Sequence, residues 1–272
     1  VGEAASPATQ GVGSCFSSTA RDYDEVVRHN VEGARRLIAS LPPGEYRRVL
    51  DVGCGTGWAT LAMIDRFGPA HVTGVDPAEG MLEVFREKVG AIAGTTVDLR
   101  AEDVMAMSVP AGAYDAVISS MAMHWFPDKP GATAAMARPL RPGGILGILL
   151  IGRGGEEEFR AVLNAVPLRG ARIWDEAFDD VQRDIPELER YLLDAGLEPL
   201  DVWMERRIRR TPAEAFLERQ RVVASHVLGG SLEPDEVAEV LARIEAGMRA
   251  ASGPRGFEYT FTKLYGVARR PG

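Results

Sequence analysis

The segment that most constrains this chain is Val49-Leu-Asp-Val-Gly-Cys-Gly-Thr-Gly57, an apolar run that ends in alternate glycines and passes directly into helical sequence. A strand that must turn sharply while its backbone approaches a ligand needs residues without a Cβ, so this pattern predicts a strand, a tight loop and a helix at the edge of a binding crevice. The rhythm around it agrees. Apolar periodicity predicts a helix over 22–40, stopped by Pro42-Pro43-Gly44, and then strands at 48–52, 71–75, 97–100, 114–119 and 145–151. Helical segments at 59–67, 78–89 and 132–140 separate them. Parallel strands need crossover helices, and those helices cover both faces, so the expected class is α/β with a doubly wound, mostly parallel sheet.

Beyond Gly152 the alternation breaks down. Helical character is expected over 156–166, 186–195 and, with an interruption at Gly229-Gly230, over 212–251. Residues 199–210 and 257–267 alternate apolar and polar side chains as exposed strands do. The expected organisation is a flexible tail at 1–14, a cofactor-binding core at 15–151 and an insertion at 152–185. Residues 186–210 and 254–272 complete the sheet, and 211–253 form a helical cap over an acceptor site. With 31 Lys and Arg against 39 Asp and Glu, the net charge of −8 disfavours nucleic acid as a partner. No apolar run approaches the roughly 18 residues of a membrane span, and no secretion signal is visible at the start. Two cysteines, Cys15 and Cys54, make no disulfide framework or zinc knuckle, and no carboxylate cluster suggests a metal. A cytoplasmic protein acting on a small molecule, as monomer or homodimer, is the expectation.

Asp76 closes the second strand, 25 residues after Asp51. In a doubly wound sheet that position directs a carboxylate at the crevice, where it accepts ribose hydroxyls. A nucleoside-containing ligand follows. In a dinucleotide fingerprint the third glycine falls one residue later, at the place held here by Trp58, which weakens the case for a nicotinamide-dependent oxidoreductase. Asp51, just before the first glycine, would repel a phosphate but suits a ligand with a cationic amino group.

The run Asp51-Val-Gly-Cys-Gly-Thr-Gly57 resembles the first motif of class I S-adenosylmethionine-dependent methyltransferases. The segments Gly74-Val-Asp-Pro-Ala-Glu-Gly-Met-Leu82, Glu102-Asp103-Val104, Asp115-Ala-Val-Ile-Ser-Ser120 and Leu140-Arg-Pro-Gly-Gly144 resemble its later motifs, in order. The resemblance implies a Rossmann-like seven-stranded sheet, five parallel strands plus a final hairpin, with S-adenosyl-L-methionine as cofactor. It implies that Asp51, Gly53, Gly55 and Gly57 cradle the cofactor, that Asp76 and Pro77 meet its ribose, and that Met81 packs by the adenine. Glu102 or Asp103 would accept from the adenine amino group, Val104 would meet the ring, and Ser119 would lie beside the transfer site.

Methyl transfer requires alignment of acceptor, methyl and sulfur, exclusion of water and, for some acceptors, removal of a proton. His124 is the candidate general base, since it follows the fourth strand; the competing reading has it bonding locally while Trp125 and Phe126 pack beneath the next helix. Tyr23, Trp125 and His226 are candidate acceptor contacts, although core packing accounts equally for Tyr23, and for His226 a solvated or core histidine is the stronger reading. Oxygen of a hydroxyl or carboxylate is the first expected acceptor atom, as in natural-product tailoring. Carbon methylation and a non-catalytic cofactor-binding protein are the alternatives. Ser119-Ser-Met-Ala122 stands where nitrogen methylators of the family carry an Asn/Asp-Pro-Pro-aromatic tetrad.

Overall fold

The computed structural model describes residues 20, 28–90, 92, 94–228 and 232–272. Its elements in chain order are α1 (Arg28–Ser40), β1 (Arg48–Val52), α2 (Trp58–Phe67), β2 (His71–Val75), α3 (Glu79–Val89), β3 (Thr96–Arg100) and β4 (Tyr114–Ser120). After a 3-10 turn (Met123–Trp125) come α4 (Lys129–Ala137), β5 (Leu140–Ile151), α5 (Glu157–Ala165), α6 (Arg169–Val181) and α7 (Ile185–Asp194). The chain ends with β6 (Glu198–Thr211), α8 (Ala213–Leu228), α9 (Pro234–Ala251) and β7 (Phe257–Arg269). One seven-stranded sheet runs in the order β3-β2-β1-β4-β5-β7-β6. The first five strands pair in parallel, as Val49 with Val72 and with Ala116, Val72 with Val97, and Val117 with Leu146 show. β7 runs against β5: Gly143 N donates to Arg270 O and Arg270 N to Gly144 O near one end, and Gly152 N to Thr262 O near the other.

The chain divides into two compact units, Val1–Leu150 with Asp184–Trp203 and Leu264–Gly272, and Ile151–Arg183 with Met204–Lys263. In the first, β1 lies inside the sheet, flanked by β2 and β4, which is why its residues Val49 to Val52 are all buried. Leu37 and Ile38 of α1, Leu41 just after it and Met63 of α2 pack with Val49, Val72, Ala116, Ile118, Leu149 and Tyr265 in one apolar core. Trp203 stacks flat on Tyr265 at 4.7 Å between ring centres. The start of α7 is fixed by a capping box, Asp184 accepting from Glu187 N and Glu187 from Asp184 N, with Pro186 beside them.

The second unit has its own core, in which Phe216 of α8 meets Phe159, Phe257 and Tyr259 and Phe159 meets the edge of Trp174. Arg160 of α5 pairs with Asp175 of α6 at 2.7 Å. Most of 152–185 and all of 211–253 fall within this unit. Three elements differ from the sequence reading. The helix expected at 132–140 is α4, which runs from Lys129 to Ala137. β5 begins at Leu140 rather than Ile145, because the run Arg141-Pro-Gly-Gly144 stays paired within the sheet through a register shift opposite Tyr114–Ala116, with Gly143 at φ of +76°. Residues 169–181, in the insertion, form the helix α6, which the sequence reading left unassigned.

Candidate functional site

The glycine loop takes its shape from its neighbours. Gly53 N and Cys54 N both donate to Val75 O, at 2.7 and 3.1 Å, so the loop is tied to the end of β2. All three glycines have positive φ, 68°, 51° and 90° at Gly53, Gly55 and Gly57. A Cβ at Gly53 would lie 2.2 Å from the Cβ of Ala122, and one at Gly57 would lie 2.2 Å from the ring of Phe85. At Gly55 a Cβ would meet nothing within 4 Å. Gly53 and Gly57 are therefore demanded by close packing as well as by backbone conformation. Gly55 is required by conformation alone. Lys88 braces the loop, donating to Thr56 O at 3.0 Å and standing 4.1 Å over the ring of Trp58.

Both carboxylates in this region are locally engaged. Asp76 accepts from Gly55 N and from Ala78 N, each at 2.9 Å. Asp51 is fully buried and accepts from Thr60 Oγ1 at 2.7 Å through Oδ2, while its Oδ1 has no partner. Burial pushes the Asp51 carboxyl up to about 7, against the Thr60 hydrogen bond and with the charge of Asp76 adding to the rise. Burial likewise raises Asp76 to about 6, against the two backbone N–H bonds. A cation placed here would relieve both.

A cleft opens over these groups. Its wall brings together Asp51, Gly53, Gly55, Gly57, Asp76, Pro77, Met81, Glu102, Asp103, Val104 and Trp125. At one end Glu102 accepts from Ser108 N at 2.7 Å and Asp103 from Met105 N at 2.8 Å, which shapes the turn holding Val104. At the other end stand Ser120, Met121, Ala122, Trp125 and Phe126. Met121 has φ of +55°, a left-handed conformation costly for a side chain of its size and of the kind that clusters at functional loops. α1 adds Asn30 and Ala34. Asn30 Oδ1 is buried without a partner.

Ser119 and His124 are not on the cleft wall. Strand alternation turns Ser119 away, where its Oγ is buried and unpartnered, and leaves Ser120 facing the cleft. The 3-10 turn folds His124 inward, 4% exposed, its ring 5.0 Å from that of Trp125 and its Nδ1 unpartnered. Burial, with the charge of Lys129 added, lowers its pKa to about 3, so the ring is neutral throughout the physiological range. Lys129 in turn holds the same loop by donating to Phe126 O at 3.1 Å. Tyr23 lies outside the described residues, and His226 belongs to α8 of the second unit. The sequence reading missed Asn30, Ala34, Met121 and Phe126 as cleft residues. Only the proximity of Met121 and Phe126 to the end of β4 could have pointed to any of them.

The chemistry of this wall fits a nucleoside carrying an amino acid. A backbone cradle with room beyond Gly55, an acid beside it at the end of β2, an apolar slot at Met81 and Val104, and two enclosed oxygens without hydrogen-bond donors make a graded surface. Among the described residues no group of His, Cys, Asp and Glu is arranged to hold a metal, and no helix is long and apolar enough to cross a membrane.

The linked acids give a pH dependence. A carboxyl in an unfolded chain titrates near 3.9, so between about pH 4 and 7 the folded protein holds protons that the unfolded chain has lost. The contribution of Asp51 and Asp76 therefore becomes steadily less favourable as pH rises through that window and levels off above it. The free protein is expected to melt at a lower temperature at pH 8 than at pH 5, and Asp51→Asn is expected to shrink the difference. Scanning calorimetry of both proteins at the two pH values measures it, and an unchanged difference in the variant would contradict the assignment.

Comparison with known proteins agrees with the geometry. The family model described as a methyltransferase domain matches residues 49–144. A malonyl-[acyl-carrier protein] O-methyltransferase of Geobacter sulfurreducens is 31% identical over 270 residues, covering 95% of this chain and 98% of that one. A trans-aconitate 2-methyltransferase of Azoarcus sp. is 28% identical over 268 residues, covering 92% and 98%. Among solved structures, the Haemonchus contortus phosphoethanolamine N-methyltransferase 2 in complex with S-adenosyl-L-methionine superposes with a TM-score of 0.59 at 15% identity, covering 100% of this chain and 62% of that one.

Proposed function

This chain belongs to the class I S-adenosylmethionine-dependent methyltransferases, and from that premise we propose that its acceptor is a carboxylate, which it converts to a methyl ester. The observation that carries the reading is the make-up of the cleft end after β4. Among the described residues there, Ser120, Met121, Ala122, Trp125 and Phe126 include no side chain able to take a proton at neutral pH, and His124 is enclosed behind them. A phenol, an alcohol or a carbon acid would need such a base, whereas a carboxylate is already ionised and needs only positioning. The relatives named for O-methylation of malonyl-[acyl-carrier protein] and for 2-methylation of trans-aconitate support the same class.

S-adenosylmethionine supplies the methyl group already activated on a positively charged sulfur. The protein's own part is binding and alignment. Asp76 receives the ribose hydroxyls with lone pairs left over from its two backbone bonds, Met81 and Val104 flank the adenine, and Asp103, with Glu102 as its neighbour, accepts from the adenine amino group. Asp51 balances the charge at the amino-acid end. Trp125, Phe126 and Met121 exclude water and hold the acceptor in line. Natural-product tailoring, suggested by a Nocamycin O-methyltransferase of Saccharothrix syringae at 38% identity over 42% of this chain, is one setting for such an esterification.

The test is incubation of the protein with S-adenosylmethionine labelled in the methyl group and with di- and tricarboxylic acids, an acidic acyl thioester on a carrier protein, catechols and simple alcohols. The expected product carries label that mild alkali releases as methanol, which marks an ester. Label stable to alkali, on a phenol or a carbon acid, would overturn the carboxylate reading.

A further inference from the structure

We propose that Asn30 is a cofactor-binding residue, its side-chain oxygen and the free oxygen of Asp51 together receiving the ammonium group of S-adenosylmethionine. The inference rests on the reading of the cleft as a methyltransferase site and assigns a role to α1, which lies outside the strand-loop-helix motif. Asn30 and Ala34 are one helical turn apart and share a face. Ala34 is buried in the core formed with Val49 and Ile118, which fixes the helix against the sheet, and both residues line the cleft. Asn30 is thereby held at the wall, with its Oδ1 enclosed and without a donor.

Buried side-chain oxygens almost always have a partner, and leaving one unmet is costly. Here two such oxygens, Asn30 Oδ1 and Asp51 Oδ1, are carried by residues that line the same cleft, and both are acceptors. The group that satisfies both must carry several N–H or O–H donors, and it must be positive to sit against a buried carboxylate. An ammonium meets both conditions. A ligand carboxylate meets neither, and the ribose hydroxyls and the adenine amino group are taken up by Asp76 and by the Glu102–Val104 turn. Asp51 supplies charge, and Asn30 supplies direction without a second negative charge that the empty cleft would have to carry.

The test is calorimetric titration of wild type, Asn30→Leu and Asn30→Asp with S-adenosylhomocysteine and with its deamino analogue, in which hydrogen replaces the amino group. Losing a hydrogen bond to a charged group corresponds to roughly a tenfold or larger loss of affinity. Asn30→Leu is expected to lose that factor for S-adenosylhomocysteine and to bind the deamino analogue as wild type does. Asn30→Asp, which keeps an acceptor, is expected to retain most of the affinity for S-adenosylhomocysteine. An equal loss for both ligands in Asn30→Leu, or no loss for either, overturns the assignment while leaving the function standing. Failure of the wild type to bind S-adenosylhomocysteine overturns both.

Discussion

Replacing Asp76 with alanine is expected to abolish measurable binding of S-adenosylhomocysteine, with a loss of at least about a hundredfold, or roughly 3 kcal/mol. The size follows from two roles carried by one side chain. In the proposed function Asp76 is the acceptor for the ribose, and in the structure it also satisfies Gly55 N and Ala78 N, each at 2.9 Å. Alanine removes the ligand contact and frees both amides, so the loop loses its anchor to the end of β2 at the residue that faces the ligand. Asp76→Asn, which keeps one acceptor oxygen, is expected to fall between. Titration calorimetry measures the affinities and circular dichroism confirms that the variants are folded. Near-normal binding by folded Asp76→Ala would remove the carboxylate from the site.

The second large effect is on stability, and it separates glycines that look alike in the sequence. Gly57→Ala places a Cβ at φ of +90° and 2.2 Å from the ring of Phe85, itself fully buried. The left-handed conformation costs about 1–2 kcal/mol and forced repacking about 1–3 kcal/mol more, so a loss of about 3 kcal/mol is expected. Gly55→Ala carries only the conformational part, because a Cβ there meets nothing within 4 Å. It is expected to lose about 1 kcal/mol of stability and to interfere chiefly with ligand entry. Urea unfolding of the two variants gives the comparison directly, and equal losses would show that the Phe85 contact relaxes freely.

The same loop shows what a sequence reveals and what it withholds. That Gly53, Gly55 and Gly57 end a buried strand was legible because the strand is apolar on both faces and the helix follows at once. Asp76 was legible by its place at the end of the next strand. The different jobs of the three glycines were not, since they depend on Ala122 and Phe85, far away in the chain. Asn30 gave no signal, because a lone amide in an amphipathic helix is indistinguishable from a solvated one until the helix is packed. His124 was ambiguous for a related reason: whether a residue after β4 faces the cleft or the interior is decided by a single 3-10 turn. The segment Arg141–Gly144 reads as a loop by composition. It is held in the sheet because Arg141 pairs with Asp115 at 2.6 Å and the backbone of Gly143 and Gly144 bonds to Arg270 near the end of β7.

The place of β1 between β2 and β4 also has a consequence for the order in which the protein matures on the ribosome. The loop after β1 is complete only when Val75 receives its amides, Asp76 receives Gly55, Phe85 fills the space beside Gly57 and Ala122 meets Gly53. A nascent chain that has emerged through β3 therefore carries the whole glycine motif but cannot yet hold the motif's shape. The loop cannot take its final shape until β4 and the turn carrying Ala122 have left the exit tunnel, so a chain ending before Ala122 carries the signature of the family without the packing that shapes it.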